Sequence, residues 1–529
     1  MTIQNLFGSF LMTMLLAAPV LAATPSFGKV SKLNHAQYEK QLLQSAPWFA
    51  DQSKGLSEAE YKAMVKTELA KSSFRAPAAD LESMMSSEFK TLRDRIVSVQ
   101  NAQQLHELLT EIETNLANGQ YQATDTRFFM SQFVVFKEFR GIIYRLYKLA
   151  HSNKVTHSLL LTQVKSAFTA IDFYFPGQNQ WKAGFEYLTE AYAVNGRAVA
   201  HFQNEGEVQV YFSTNILRAL EVAKERIENI DLSRSSAGNQ SGYVVWDNQI
   251  LLNSQSFDRD VDRYRLAGNI EKLAVLGAYE RAMAQLCLKR AYSMNGFFKV
   301  AYEVGRLYGI DGFASEVDGV PMAKLVQIYR RQPEYGMGFS DTPRWTARAL
   351  AHFRRSLNYY SRAFEFLERR DSNERFVISG AHSKVFGDVT KKTINQLKEL
   401  LNENRQPVSI TSRTRKADGS IEVDLPRFFN EPPTSLQSMM STEWKGYSAN
   451  GTKNTDEWSK NSVPAGNGLM ILVDRRDYSI GQATNWRVET YRKMFPKVAS
   501  GDDLKRHVRI LSETWGGTFV GLPFAEYVR

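Results

Sequence analysis

The sequence predicts a mainly α protein: a large multi-helix array or bundle over residues 31–405, joined to a smaller C-terminal mixed α/β region over 406–529. Three observations carry that expectation. Apolar residues recur at helical spacing through the first region, the breaks between them carry helix punctuation, and after Pro407 alternating runs bounded by turn residues take over. A length of 529 residues suggests two or more domains, with the helical one drawn over 27–405. The 43% apolar and 12% aromatic content, against only 15 prolines, marks a globular chain with a bulky interior.

Residues 6–22, LFGSFLMTMLLAAPVLA, are uncharged and apolar and close on Val20-Leu21-Ala22, so residues 1–22 are expected to be a signal peptide. The run departs from the usual leader in having no Lys or Arg before Lys29. The chain is therefore expected to be exported: periplasmic in a Gram-negative envelope, secreted otherwise. Beyond the leader no run reaches the ~18 apolar residues of a spanning helix, so no transmembrane helix is expected in the mature chain. The leader holds no charge, and the mature chain keeps the full +10, which favours acidic partners without implying nucleic acid.

In chain order, Ser57-Glu58-Ala59-Glu60 is a capping box that opens a helix through about residue 72. Gly119 closes the helix running through LHELLTEIETNLAN. Long helices are predicted at 126–151, 156–173, 208–229, 258–294 and 343–370, without the 34-residue tetratricopeptide pattern. SGYVVWDNQILLN, 241–253, reads as a small hairpin about Asp247-Asn248, and VSITSRTRKADGSIEVDL as a hairpin with Asp418-Gly419 between its runs. Residues 468–474 read as a buried strand, followed by helices at 479–495 and 501–513, the latter capped by Ser500 with Asp503 three residues on.

Templates for chemistry mostly fail. The eight histidines never form His-Glu-x-x-His, and Cys287, the only cysteine, sits between leucines in a helical pattern as a buried hydrophobe. No metal and no cofactor is expected. GMGFSDTPRW lacks the third glycine of a dinucleotide turn and the closing glycine of a nucleophile elbow, and reads as a turn before a helix at Pro343. Asp258, Asp260 and Asp262 alternate as in a calcium loop, but Arg263 replaces its glycine and Asn269 its glutamate. Glu186 and Glu190 share a helix face at i, i+4 and are the weak catalytic candidates, as paired carboxylates can do acid/base work; a pair lacking a partner across a cleft is more often surface.

The segment 343–370 is the most informative. Leu350, Phe353, Leu357, Tyr360, Phe364 and Leu367 form an unbroken a/d seam, while Arg348, Arg355, Arg362 and Arg369 recur every seven residues opposite it. Residues 323–405 hold sixteen Lys or Arg against nine Asp or Glu, so those four arginines are the candidate anion-binding stripe, set against a solvated, partly paired helix face. FRAPAADLESMMSSEFK, 74–90, matches FNEPPTSLQSMMSTEWK, 429–445, at nine of seventeen positions. Both read as capped amphipathic helices, either an ordinary helix arrived at twice or two equivalent docking helices gripping similar grooves or one partner, with Met84, Met85, Phe89, Met439, Met440 and Trp444 as the candidate partner-docking residues; both faces are expected to be buried in similar surroundings.

These readings point to an exported, non-catalytic binding or scaffold protein of the cell envelope that contacts an envelope protein or an anionic polymer or lipid surface. The alternative is an envelope hydrolase acting on a glycan or anionic polymer by carboxylate acid/base catalysis. A third reading has the seam at 350–367 awaiting another chain.

Overall fold

The computed structural model describes residues 78–152, 183–184, 186–232, 243–247, 264–300, 303, 328–367, 394–413, 418–439, 443–445, 462–464, 470–472, 482–484, 487–501 and part of 503–511. The described chain is mainly α with only short strands, about 67% helical. The predicted helices at 57–72 and 156–173 and the acidic run 258–262 lie outside the described residues.

Helix boundaries follow local chemistry. Helix α1, Ala78–Ser83, turns into α2, Ser87–Ser98, where the Ser86 hydroxyl accepts from the Phe89 amide at 3.0 Å and donates to Asp125 at 2.7 Å. Helix α3, Ala102–Ala117, starts on Asn101, whose side chain accepts from the Gln104 amide. It ends as predicted: Gly119 takes φ 65°, and the Gln120 amide reaches back to Asn115.

The predicted helix 126–151 is two. Helix α4, Thr124–Phe133, tightens into a 3-10 stretch, Val134–Phe139, and the chain restarts after Gly141 as α5, Ile142–Ser152. Gly141 has φ 59°, its amide donates to the Tyr187 carbonyl at 2.7 Å, and a side chain there would strike the Tyr192 ring. Strands β1, Ala193–Val194, and β2, Arg197–Ala198, form a minimal hairpin. Helix α6, Glu205–Tyr211, passes through a π turn, Phe212–Ile216, into α7, Leu217–Glu228.

The hairpin expected at 241–253 is corrected. Strand β3, Val244–Asp247, pairs antiparallel with β4, Tyr264–Ala267, across a far longer connection, so β4 takes the start of the predicted helix 258–294. Asp247 is no turn residue; it is fully buried, 3.8 Å from the Arg93 guanidinium. The helix proper is α8, Asn269–Ala291, buried on all faces and therefore central.

Helix α9, Thr342–Leu367, lies antiparallel on α8. Small residues recur every seven positions on both: Gly277, Ala284 and Ala291 on α8, and Ala349, Ser356 and Ala363 on α9. Backbones approach closely as a result. Thr342 donates to the Ala291 carbonyl at 2.5 Å, Ser356 to that of Gly277 at 2.7 Å, and Ala363 packs with Ile270 and Leu273. Leu350, Phe353, Leu357 and Tyr360 of the predicted seam are buried, so this chain fills those positions of its own seam. Each such side chain contributes about 1.5–3 kcal/mol through burial.

Beyond a 3-10 turn at Glu403–Arg405, strand β5, Val408–Arg413, pairs with β6, Asp418–Val423. The predicted hairpin exists, but Asp418 faces Arg413 inside the ladder instead of forming the turn. Helix α10, Leu425–Asn430, packs on α9 through Phe429 against Phe353, and Thr346 donates to the Phe429 carbonyl. Strands β7, Glu443–Lys445, and β10, Gln482–Thr484, pair; so do β8, Ser462–Pro464, and β9, Met470–Leu472. Strand β10 falls near the start of the predicted helix 479–495, of which, among the described residues, only α11, Val488–Tyr491, is helical. The Ser500 cap holds: its hydroxyl accepts from the Asp503 amide, and the Asp503 carboxylate accepts from Ala499. A single hydrophobic cluster runs from Leu81 to Leu511 and so joins residues on both sides of 406.

Candidate functional site

The two copies of the Met-Met segment differ in form. In the first, Leu81, Met85 and Phe89 enter the core from α1, a turn and α2, with Met84 partly buried. In the second, Leu436–Met439 is a 3-10 turn followed by β7, which carries Trp444 in its backbone; Met440 lies outside the described residues. Met85, Phe89 and Met439 are no more than 4% exposed, so this chain's own core holds them. What separates the copies is non-local pairing: Gln482–Thr484 captures Glu443–Lys445 as a strand, whereas Asp125 fixes Ser86 as a helix cap.

The arginine stripe is divided by its neighbours. Helix α7 offers Glu221, Lys224 and Glu228 at i, i+3 and i+7; α9 offers Arg348, His352, Arg355 and Tyr359 at i, i+4, i+7 and i+11; α8 places Glu280 between them. The Glu280 carboxylate is fully buried. It accepts from His352 Nδ1 at 2.6 Å and Arg355 Nε at 2.9 Å, with Lys224 Nζ at 3.3 Å. Burial alone would push its pKa up, but the hydrogen bonds from His352 and Arg355 and their positive charge outweigh that and hold it below the ordinary carboxylate value. The Arg355 Nη2 atom also lies 2.7 Å from His352 Nδ1, so the imidazole and the guanidinium crowd the same carboxylate. Around this centre Arg348 pairs with Glu221, and Tyr359 donates to Glu228, which also pairs with Lys224. The cluster pins three helices together around a carboxylate that already meets three donors. Arg362 is exposed, and Arg369 lies outside the described residues.

Glu186 and Glu190 stand on one helical turn, 186–189, and its end. Glu190 accepts from Arg140 Nε at 2.7 Å, and the same guanidinium lies 4.7 Å from the Tyr192 ring centre. Nearby, burial first and then the charges of Arg140 and Lys137 press His106 down to about 4. Cys287 is buried, and burial pushes its thiol up to about 12, so it is a packing residue as its neighbours implied. Among the described residues, no three His, Cys, Asp or Glu side chains converge as a metal site, and no helix is long and apolar enough to cross a membrane.

The surface at the junction of α8 and α9 is built by GMGFSDTPRW. Gly336 takes φ 78°, Gly338 donates to the Thr434 carbonyl at 2.8 Å, and backbone bridges join Met337 to Ser435 and Gly338 to Tyr292. That fixed loop presents Met337 and Phe339 to solvent, at 44% and 39% exposure. The Arg290 guanidinium lies 5.2 Å from the Phe339 ring and 5.5 Å from that of Trp345, with Arg348 5.4 Å from Trp345 on its own. Asp341 holds the indole N–H at 2.8 Å, and Arg344 is exposed one residue before Trp345. Of the predicted stripe, Arg348 alone reaches this face. The aromatic contribution was present in GMGFSDTPRW, where the glycines signalled a turn, but nothing in the sequence placed Arg290 across from it.

Beside this face lies an open cleft of about 410 Å³ between the start of α6, the turn 293–296 and the turn 332–334. Asn204 caps α6 by accepting from the Glu207 amide while Glu207 accepts from Gln203, which sets Glu205 on the cleft wall. Gly296, with φ 88°, packs so tightly on Gln332 that a Cβ would lie 2.9 Å from its amide oxygen. No known protein family, no curated protein and no solved structure matches this chain.

Proposed function

We propose that this chain is an exported, non-catalytic binding or scaffold protein of the cell envelope, a multi-helix bundle with a smaller mixed C-terminal region. On this reading it meets an anionic polymer, lipid or protein surface through the face of Met337, Phe339 and Trp345 with Arg290 and Arg344. The observation that carries the proposal is that composition: large apolar groups and oriented guanidinium forks held at the surface by a fixed loop. Lysine would serve solubility; arginine matches carboxylate and phosphate geometry. The leader-like residues 6–22 support export. Glu190 is engaged by Arg140 and Glu280 by three cationic or imidazole groups, so the carboxylates with the most elaborate surroundings do structural work.

Two measurements test the proposal. Cells producing the tagged full chain should yield an envelope or secreted form beginning after Ala22; a cytoplasmic product starting at Met1 removes the export element. The purified chain should be retained on heparin or polyglutamate matrices. A variant with Arg290→Gln, Arg344→Gln and Phe339→Ser should elute at clearly lower salt, and unchanged elution refutes this face.

A further inference from the structure

We propose that the cleft between the start of α6 and the turns at 293–296 and 332–334 binds a small zwitterion, an α-amino acid or short peptide, with its ammonium on Glu205 and its carboxylate on Lys299. Glu205 is 8% exposed and lines the cleft, yet the only described hydrogen bond to its carboxylate is from the Phe298 amide to Oε1 at 3.3 Å. A carboxylate so withdrawn from water is costly unless a cation meets it. Lys299, next to Phe298 in the chain, lines the same cleft; among the described residues it makes no ion pair, with Glu205 or with any other acid. Two opposite charges that line one cleft without pairing to each other are complementary to a molecule carrying the reverse pair.

The remaining walls suit such a ligand. Gln203 and Gln332 supply amides that donate and accept, while Asn295 donates to Glu334 at 3.1 Å and so holds a second carboxylate at the rim on the ammonium's side of the charge balance. A volume of about 410 Å³ is that of a small-molecule site. The site is separate from the arginine-aromatic face: failure of either leaves the other standing.

The test is calorimetric titration of the full chain with L-alanyl-L-alanine and with a panel of free L-amino acids, each beside its N-acetylated and C-amidated counterparts. Saturable binding of at least one free zwitterion is expected, weakened at least tenfold by blocking either terminus. Glu205→Gln keeps the Phe298 hydrogen bond and should lose the same factor, and Lys299→Gln, at an exposed position, should lose binding without altering the fold. Absence of saturable binding by every probe overturns the proposal. Equal binding of blocked and free forms, or full binding by Lys299→Gln, does so too.

Discussion

Glu280 shows how one residue can decide what several others do. Its burial would be untenable for a lone charge, and the imidazole and guanidinium of α9 make it tenable. Glu280→Ala should cost about 3 kcal/mol in urea unfolding, since it leaves the buried His352 facing a site without its acceptor, while Lys224 keeps Glu228 and Arg355 can turn to solvent. Because the folded carboxyl titrates below its unfolded value of 4.5, its stabilisation is present above that value and is lost as pH falls through the folded one. Wild type should therefore lose stability more steeply than Glu280→Gln in acid. His106 acts at higher pH. Its folded value, about 4, lies below the unfolded 6.5, so the unfolded chain takes up the proton first and stability drains as pH drops between them. His106→Gln should flatten that part of the stability curve; an unchanged slope would show that His106 is solvated.

At the scale of elements, the α8–α9 pair is set by its small residues. A Cβ at Gly277 would sit 2.7 Å from the buried Tyr360 ring. Gly277→Val should destabilise by about 2 kcal/mol, because overpacking of 1–3 kcal/mol exceeds the few tenths of a kcal/mol gained in helix propensity. Denaturant midpoints read the difference, and a neutral result would mean that α9 can shift outward. The seam of α9 and the Gly119 stop were legible in advance because each is written within a turn or two of helix. The break at Gly141 and the pairing of β3 with β4 were not, since each depends on residues well beyond a local turn, Tyr187 and Tyr264–Ala267.

For the whole molecule, the C-terminal region is no detachable ornament. Phe429 packs on Phe353, Thr346 bonds the Phe429 carbonyl, and Arg354 of α9 holds the Leu401 carbonyl and Glu403. A chain ended at residue 405 should expose that side of α9, bind a hydrophobic dye and unfold at lower denaturant than the full chain. Full stability of the shortened chain would show that the two regions fold independently.

The α class, the Gly119 stop, the Ser500 cap, the seam of α9 and the burial of Cys287 were written in the sequence, because these arise from hydrogen bonds and periodicities within a few residues. Only the tertiary structure decided which charges were free. Arg348, Arg355 and Arg362 are equivalent by spacing, yet Glu221 and Glu280 claim the first two and leave the third exposed. The same holds for the doubled Met-Met segment, written nearly alike and folded differently. The physical reason is common to both: a side chain's partner is fixed by chain brought from far away, and local pattern carries no record of it.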